Sequence, residues 1–336
     1  MNPTFAFDLR PVEEPGAPER GGKGTRVVEF VPTAAHEVPS VKQHVVDTLL
    51  PAIEAIGGTG VYTSARADLL PGELALHVDR VAGSIGNSQG GERAAELVCR
   101  LLDVSHRTAL DVYRSSGLAA YGDTQMIVVV FVCVKGSVRY VVAYTSAMVA
   151  SVPALPAAPP KRHLAFVVGP PRSRPEVKDI AWIRDRRDLE SRAANATRAV
   201  PDAICCDALL STDCGRLVEG TITNLFVIVS TSESATGTCY KLQTAPDSMV
   251  LAGVARRKVI EACGTLGVPV DFTCPNPCER DTWCEAFLTN SIRRMQSLDG
   301  IICTVTNVWG HDAWDVSFGD NPIAKRIANS IANSIT

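Results

Sequence analysis

The sequence predicts an α+β protein of two domains, and three observations carry that prediction. A proline-rich segment cuts the chain near its middle, a β-hairpin signature closes the first half, and the second half mixes strands and helices without the strict alternation of a doubly wound parallel sheet. The chain has 336 residues, 46% of them hydrophobic and 21% charged. That length and balance suit two folded domains with substantial cores, not a disordered chain.

Residues 1–35 read as an N-terminal extension, partly mobile around Glu13 to Lys23. Residues 36–150 are expected to form a small α+β domain. Within it, Val41, His44, Val45, Thr48, Leu49 and Ile53 fall at three- and four-residue steps, which predicts a helix over Ser40 to Ile56. Glu92 to Arg114 is also read as helical. Met126 to Val134 and Val138 to Met148 are rich in β-branched and aromatic residues and flank Lys135-Gly136-Ser137, the pattern of a hairpin. Residues 151–163 form the interdomain linker, because Ser151 to Lys161 holds four prolines and can neither complete a ladder nor continue a helix.

Residues 164–336 are expected to form the larger C-terminal α+β domain. Leu164 to Val168 reads as a strand. Leu217 to Val229 is broken by Glu219-Gly220-Thr221, a turn feeding a second strand. Gly253 to Cys263 begins with glycine and continues with helix formers, and Glu285 to Thr289 is a short strand stopped by Asn290-Ser291. Ile323, Ile327, Ile331 and Ile335 recur every fourth residue behind Asn321-Pro322, an N-cap and first-turn pair.

Several function classes lose support. Lys and Arg number 33 against 36 for Asp and Glu, so no basic footprint for nucleic acid exists. Met1 to Arg20 shows no basic region followed by an apolar stretch, and the nine-residue run Met126 to Val134 is too short to cross a bilayer. No membrane association and a cytoplasmic location are therefore expected. Eleven cysteines without regular spacing argue against a disulfide framework. Cys274, Cys278 and Cys284 lack the second short pair that a structural zinc site requires, so no metal is expected. No Gly-x-Ser-x-Gly elbow and no phosphate-binding Gly-x4-Gly-Lys loop occur. Ile183 to Arg192 reads as a solvated, salt-bridged helix face, and Gly83 to Gly91 as a surface loop.

Five segments stand out together. In order they are Gly60-Val61-Tyr62-Thr63-Ser64-Ala65-Arg66 with His77-Val78-Asp79-Arg80, then Glu176-Val177-Lys178-Asp179-Ile180-Ala181-Trp182, then Leu217-Val218-Glu219-Gly220-Thr221-Ile222-Thr223-Asn224-Leu225-Phe226. Leu251-Ala252-Gly253-Val254-Ala255-Arg256 and Glu285-Ala286-Phe287-Leu288-Thr289-Asn290-Ser291 complete the set. Across residues 60–325 the chain closely resembles the fold-type IV pyridoxal-phosphate enzymes (aminotransferase class IV): branched-chain aminotransferases, D-amino acid aminotransferases and aminodeoxychorismate lyases. Glu-Gly-Thr-x-x-Asn-x-Phe is the most specific piece. The resemblance implies a two-domain fold-type IV architecture, D-amino acid aminotransferase-like, with pyridoxal 5'-phosphate between the domains.

It also implies roles that the chemistry of each residue suits. Lys178 matches the lysine that holds the cofactor as an internal aldimine and moves a proton, since the reaction needs an amine whose pKa a partly desolvated site can lower. Glu219 matches the carboxylate that keeps the pyridine nitrogen protonated; in its apolar surroundings a glutamate without a partner is costly, so the pattern itself asks for one. Gly220 is expected to let the backbone pass beneath the ring. Arg80, the first N–H groups of the helix at Val254 and Ala255, and the hydroxyls of Ser291 and Thr289 match the phosphate cradle. Tyr62 and Arg66 match positions that face the substrate, and His77 reads as a packing residue.

The implied activity is exchange of an amino group between an amino acid and a keto acid by a homodimer. An aminodeoxychorismate-type lyase, which eliminates pyruvate, and a non-catalytic family member are the alternatives. The chain departs from the family's pattern at three places. Ile183 stands where relatives often carry a tyrosine, the helix start reads Leu-Ala-Gly-Val-Ala, and an insertion falls around Arg192 to Ile204.

Overall fold

Apolar residues that alternate along a strand must find a core on each face, and the second half of this chain is built on that requirement. The computed structural model of the chain describes residues 161–234, 237–304 and 312–333. Before residue 161 it describes the segments 4–6, 9–12, 29–32, 36–38, 46–47, 50–51, 59–65, 71–85, 103–104, 107–108, 111, 115, 124–135 and 138–149. Two compact units result: residues 1–154 with 178–183, and residues 155–177 with 184–336. The stretch Lys178 to Ile183 therefore belongs to the first unit although it follows the proline-rich segment.

In the first unit, β1 (Thr4–Ala6) and β2 (Leu9–Val12) lead to β3 (Glu29–Pro32), which pairs β2, and β4 (His36–Val38), which pairs β1. Strand β5 (Thr59–Ala65) precedes helix α1 (Pro71–Ile85), which has proline at its first position, where a missing N–H costs nothing. The expected hairpin is present as β6 (Thr124–Lys135) and β7 (Val138–Val149), in register from Thr124↔Val149 to Lys135↔Val138, and β5 adds antiparallel to β6. Of the expected helix over Ser40 to Ile56, only Val46, Asp47, Leu50 and Pro51 are described, all helical. Most of Glu92 to Arg114, residues 151–160 of the expected linker and residues 86–91 of the expected loop lie outside the described residues, while Gly83 to Ile85 of that loop end α1 and Arg162 and His163 of that linker already belong to a strand.

The second unit opens with β8 (Arg162–Gly169), whose even-numbered Leu164, Phe166 and Val168 pack into one cluster and whose Ala165 and Val167 pack into another. Helix α2 (Trp182–Asp185), whose first two residues count with the first unit, leads to α3 (Arg187–Arg198), which covers β8 and β9 (Ala203–Ser211) through Leu189, Ala193 and Ala196. The Arg186–Glu190 pair at 2.9 Å fits the expected salt-bridged face, but Ile183 is buried, not solvated. Next come β10 (Leu217–Gly220), β11 (Asn224–Ser234), β12 (Gly237–Gln243), α4 (Val254–Leu266) and β13 (Val270–Asp271). The chain continues through β14 (Trp283–Asn290), β15 (Arg294–Ser297), β16 (Gly300–Cys303), β17 (Trp314–Ser317) and α5 (Pro322–Asn333).

Ten of these strands form one mixed sheet in the order β13-β12-β11-β10-β9-β8-β16-β17, with β14 also on β11 and β15 on β14. The pairings β8–β9, β8–β16 and β12–β13 are parallel and the rest antiparallel. Phe226 and Ile228 of β11 and Phe287 of β14 face α4 and α5, with the two Phe rings stacked at 5.1 Å. Leu225, Val227, Ala286 and Leu288 face the opposite cluster. The left-handed Gly267 ends α4 in a cap that few other residues accept.

Glu285 lies on the α4 face of β14 and is 2% exposed. Its two oxygens accept the N–H groups of Ile323 at 2.9 Å and Ala324 at 2.8 Å, so it closes the first turn of α5 from a neighbouring strand. Glu285→Ala leaves both donors buried without acceptors and is expected to cost about 3 kcal/mol, read as a lower urea midpoint with little change in slope.

Candidate active site

The residues singled out in the sequence divide between the two units. In the second unit the turn after β10 brings Glu219 opposite Asn224, the single register pair of β10 with β11, and Asn224 in turn pairs Thr289 of β14. The Glu219 side chain is 3% exposed and receives four donors. Arg172 gives Nε at 2.9 Å and Nη2 at 2.7 Å to Oε1; Leu251 N at 3.1 Å and Asn224 Nδ2 at 3.4 Å go to Oε2. Asn224 Nδ2 also donates to the Leu251 carbonyl at 2.9 Å. A side chain at Gly253 would collide with Asn224 Oδ1, so the segment 251–253 that starts α4 is seated directly on this hairpin.

Burial pushes the Glu219 carboxyl up from its ordinary value, and the Arg172 guanidinium and the Leu251 N–H pull against it. Arg172 does more than balance charge. Its Nη2 donates to the Pro175 carbonyl at 3.0 Å and its Nη1 to that of Val177 at 3.4 Å, fastening to Glu219 the stretch that ends one residue before Lys178. The apolar surroundings of Glu219 signal the need for a partner, but nothing signals Arg172, which sits in Gly169-Pro170-Pro171-Arg172-Ser173-Arg174 like an ordinary loop cation.

Val254 and Ala255 form the first turn of α4, whose opening N–H groups have no intrahelical acceptor. Thr289 is 1% exposed, and its Oγ1 has no hydrogen-bond partner among the described residues. Ser291 lies two residues on, in the turn closed by Asn290 Oδ1, which accepts from Ile292 N at 3.0 Å and Arg293 N at 2.7 Å. Glu219, Asn224, Gly253 and Thr289 thus meet in one neighbourhood of the second unit.

Gly220 is hemmed in by its own chain. A Cβ there would collide with Asp207 Oδ2 and Thr223 Oγ1. Its neighbour Asp207, which nothing in the sequence marks out, is a buried carboxylate on β9.

In the first unit Lys178 lies beside Tyr62. The Tyr62 N–H donates to the Lys178 carbonyl at 3.0 Å, Val61 bridges Asp179, and Lys178 Nζ stands 4.8 Å from the Tyr62 ring centroid. Ile183 is buried one turn on, its N–H bonded to the Ile180 carbonyl at 3.0 Å. Arg80 donates Nη2 to Thr63 Oγ1 and, at 2.8 Å, to His77 Nδ1. Because a guanidinium only donates, Nδ1 of the buried His77 must be an acceptor, which makes this imidazole neutral with its proton on Nε2. His77 therefore holds Arg80 as well as packing. Burial brings the Arg80 guanidinium down to about 10, with Tyr62 pulling the other way. Arg66 lies outside the described residues.

Replacing Arg172 with Met removes the largest pull holding the Glu219 carboxyl down. The Arg172→Met chain is expected to lose about 3–5 kcal/mol at neutral pH, as breaking a buried pair does. The raised carboxyl then prefers its proton, so this penalty is largest above the raised value and shrinks as the pH falls below it. Urea denaturation across pH checks both the size and the sign.

No family model matches the sequence, and no curated protein matches it. Solved structures do match in fold. A branched-chain amino acid aminotransferase from T.th., solved with pyridoxamine 5'-phosphate, is 16% identical with a TM-score of 0.56, covering 91% of this chain and 92% of that one. The norvaline complex of the Thermoproteus uzoniensis branched-chain aminotransferase is 18% identical with a TM-score of 0.54, covering 89% and 91%. A Legionella pneumophila protein assigned to the 4-amino-4-deoxychorismate lyases is 15% identical with a TM-score of 0.53, covering 83% and 92%. The chain therefore has the α+β fold of these proteins, fold type IV.

Proposed function

We propose that the chain is a pyridoxal 5'-phosphate-dependent aminotransferase that exchanges an amino group between an amino acid and a keto acid. The observation that carries this reading is the Glu219 carboxylate, buried among four donors beside the start of α4.

The residues present suit the cofactor. A protonated ring nitrogen needs a buried anion, and the 3.4 Å bond from Asn224 to Glu219 is the weakest of the four and the one such a donor would displace. A phosphate needs convergent donors; the first N–H groups of α4 at Val254 and Ala255 and the unpartnered Thr289 hydroxyl supply them, with Ser291 close by in sequence. Arg80 is proposed to add a charge-assisted contact. When bound, the cofactor supplies an aldehyde for an amine and a cationic ring that draws electrons from the bond being broken.

Lys178 is the proposed catalytic residue: its amine would hold the cofactor through the aldehyde and would move a proton as base and then acid. The Tyr62 ring beside Nζ orients that amine. Tyr62 and Arg66 are the proposed substrate contacts, the guanidinium suiting a substrate carboxylate. In this reading residues 36–150 and 164–336 are the small and large domains joined by the 151–163 linker, with 1–35 an extension, and the protein acts as a cytoplasmic homodimer. Among the described residues no helix is long and apolar enough to cross a membrane.

A second reading, a lyase that eliminates pyruvate, draws on the Thr289-Asn290-Ser291 turn and on the Legionella neighbour. Incubating the full chain with pyridoxal 5'-phosphate, reducing with borohydride and mapping the peptides tests the proposal. A phosphopyridoxyl mass on Lys178, lost in Lys178→Ala, is expected; no adduct on Lys178 would overturn it. Product assay then separates the two chemistries, since amino-group transfer to a keto acid supports the aminotransferase and stoichiometric pyruvate release supports the lyase.

A further inference from the structure

The strand that carries Glu219 is poorly anchored by its own ladder. β10 has four residues, one register pair with β11 and two with β9, and its register shifts between those two. What fixes the turn that follows is a carboxylate. Asp207, 6% exposed, accepts four hydrogen bonds. Oδ1 takes Thr221 Oγ1 at 2.6 Å and Ala208 N at 2.8 Å; Oδ2 takes Thr223 Oγ1 at 2.7 Å and Ile222 N at 3.0 Å. Three of those donors belong to the turn directly after Glu219-Gly220. The turn also closes on itself through Gly220 N to the Thr223 carbonyl at 2.8 Å and reaches β9 through Thr221 N to the Ala208 carbonyl at 2.9 Å. Gly220 is pressed so closely on Asp207 that no side chain fits there.

We infer that Asp207 is a positioning residue for Glu219: it fills the concave side of the 220–223 turn and thereby fixes where the Glu219 carboxylate is presented. A neutral turn would need no buried charge, and burying one is costly unless every lone pair is met, as it is here. Burial pushes the Asp207 carboxyl up while its four donors pull against it, and its charge opposes that of Arg172 at Glu219. The role of Glu219 toward a cofactor rests on the reading proposed above; the positioning of Glu219 by Asp207 does not depend on it.

The test follows from Leu251, whose N–H donates to Glu219 Oε2 and so reports on the carboxylate with no cofactor present. Amide hydrogen exchange is measured by NMR on the full chain without cofactor, for the native protein and for Asp207→Asn, Thr223→Val and Thr223→Ser. Thr223→Val keeps the charge and the shape but deletes one donor; Thr223→Ser keeps the donor. The Leu251 amide is expected to exchange about tenfold faster in Asp207→Asn and Thr223→Val and to stay near native in Thr223→Ser, while Phe226, Val227 and Phe287 keep their protection. Unchanged exchange at Leu251 in the folded variants, or a uniform rise across β11 and β14, would overturn the inference. Should Asp207→Asn fail to fold, the two Thr223 variants decide. In parallel, titration with pyridoxal 5'-phosphate is expected to show weaker binding by Thr223→Val, again about tenfold, restored in Thr223→Ser. If the native chain binds no pyridoxal 5'-phosphate, the proposed function fails, while the Leu251 exchange still decides the role of Asp207.

Discussion

Two opposite charges taken out of water together, Arg172 and Glu219, set the constraint from which the local architecture of the second unit follows. At 2.7 Å and with both side chains under a tenth exposed, neither tolerates loss of the other. Their remaining hydrogen-bonding capacity has to be met as well. Arg172 meets its share with the carbonyls of Pro175 and Val177, and Glu219 meets its share with Leu251 and Asn224. Three segments far apart in sequence, 172–177, 219–224 and 251–253, are thereby tied to one carboxylate.

The sheet supplies the rigid base for that knot. The strand residues that bear Asn224 and Thr289 continue directly into Phe226, Ile228 and Phe287, which are fully buried against α4 and α5. Packing of that density leaves little freedom to the strand ends beside it, Asn224 before Phe226 and Thr289 after Phe287. Polar side chains at the ends of well-packed strands are the usual way a fold holds reactive groups steady. Asp207 extends the same logic to the turn, where the ladder alone is too short to hold position. Glu285 does so for α5.

Much of this was legible in the sequence because the signals were local. The hairpin of β6 and β7, the glycine at the start of α4 and the proline at the start of α5 each depend on neighbours within a few residues, and so does the break between β10 and β11, which falls at 221–223, two residues later than the expected Glu219-Gly220-Thr221. Arg172 was not legible, because its partner lies 47 residues away and nothing around it distinguishes it from a solvated loop arginine. Asp207 was hidden for a similar reason: in Cys205-Cys206-Asp207-Ala208 it reads as one polar residue on a strand, and its purpose appears only when the turn at 221–223 folds back on it. The charges around Ile183 point to a solvated face, whereas the chain turns it inward one turn after Lys178.

The central claim is that Glu219 is the anion that holds a proton on the ring nitrogen of pyridoxal 5'-phosphate. Nitrogen-15 NMR of ring-labelled pyridoxal 5'-phosphate bound to the native chain and to Glu219→Gln tests it most directly. The account predicts a ring nitrogen protonated throughout the neutral range in the native protein and deprotonated in Glu219→Gln. The same protonation state in both proteins would contradict it.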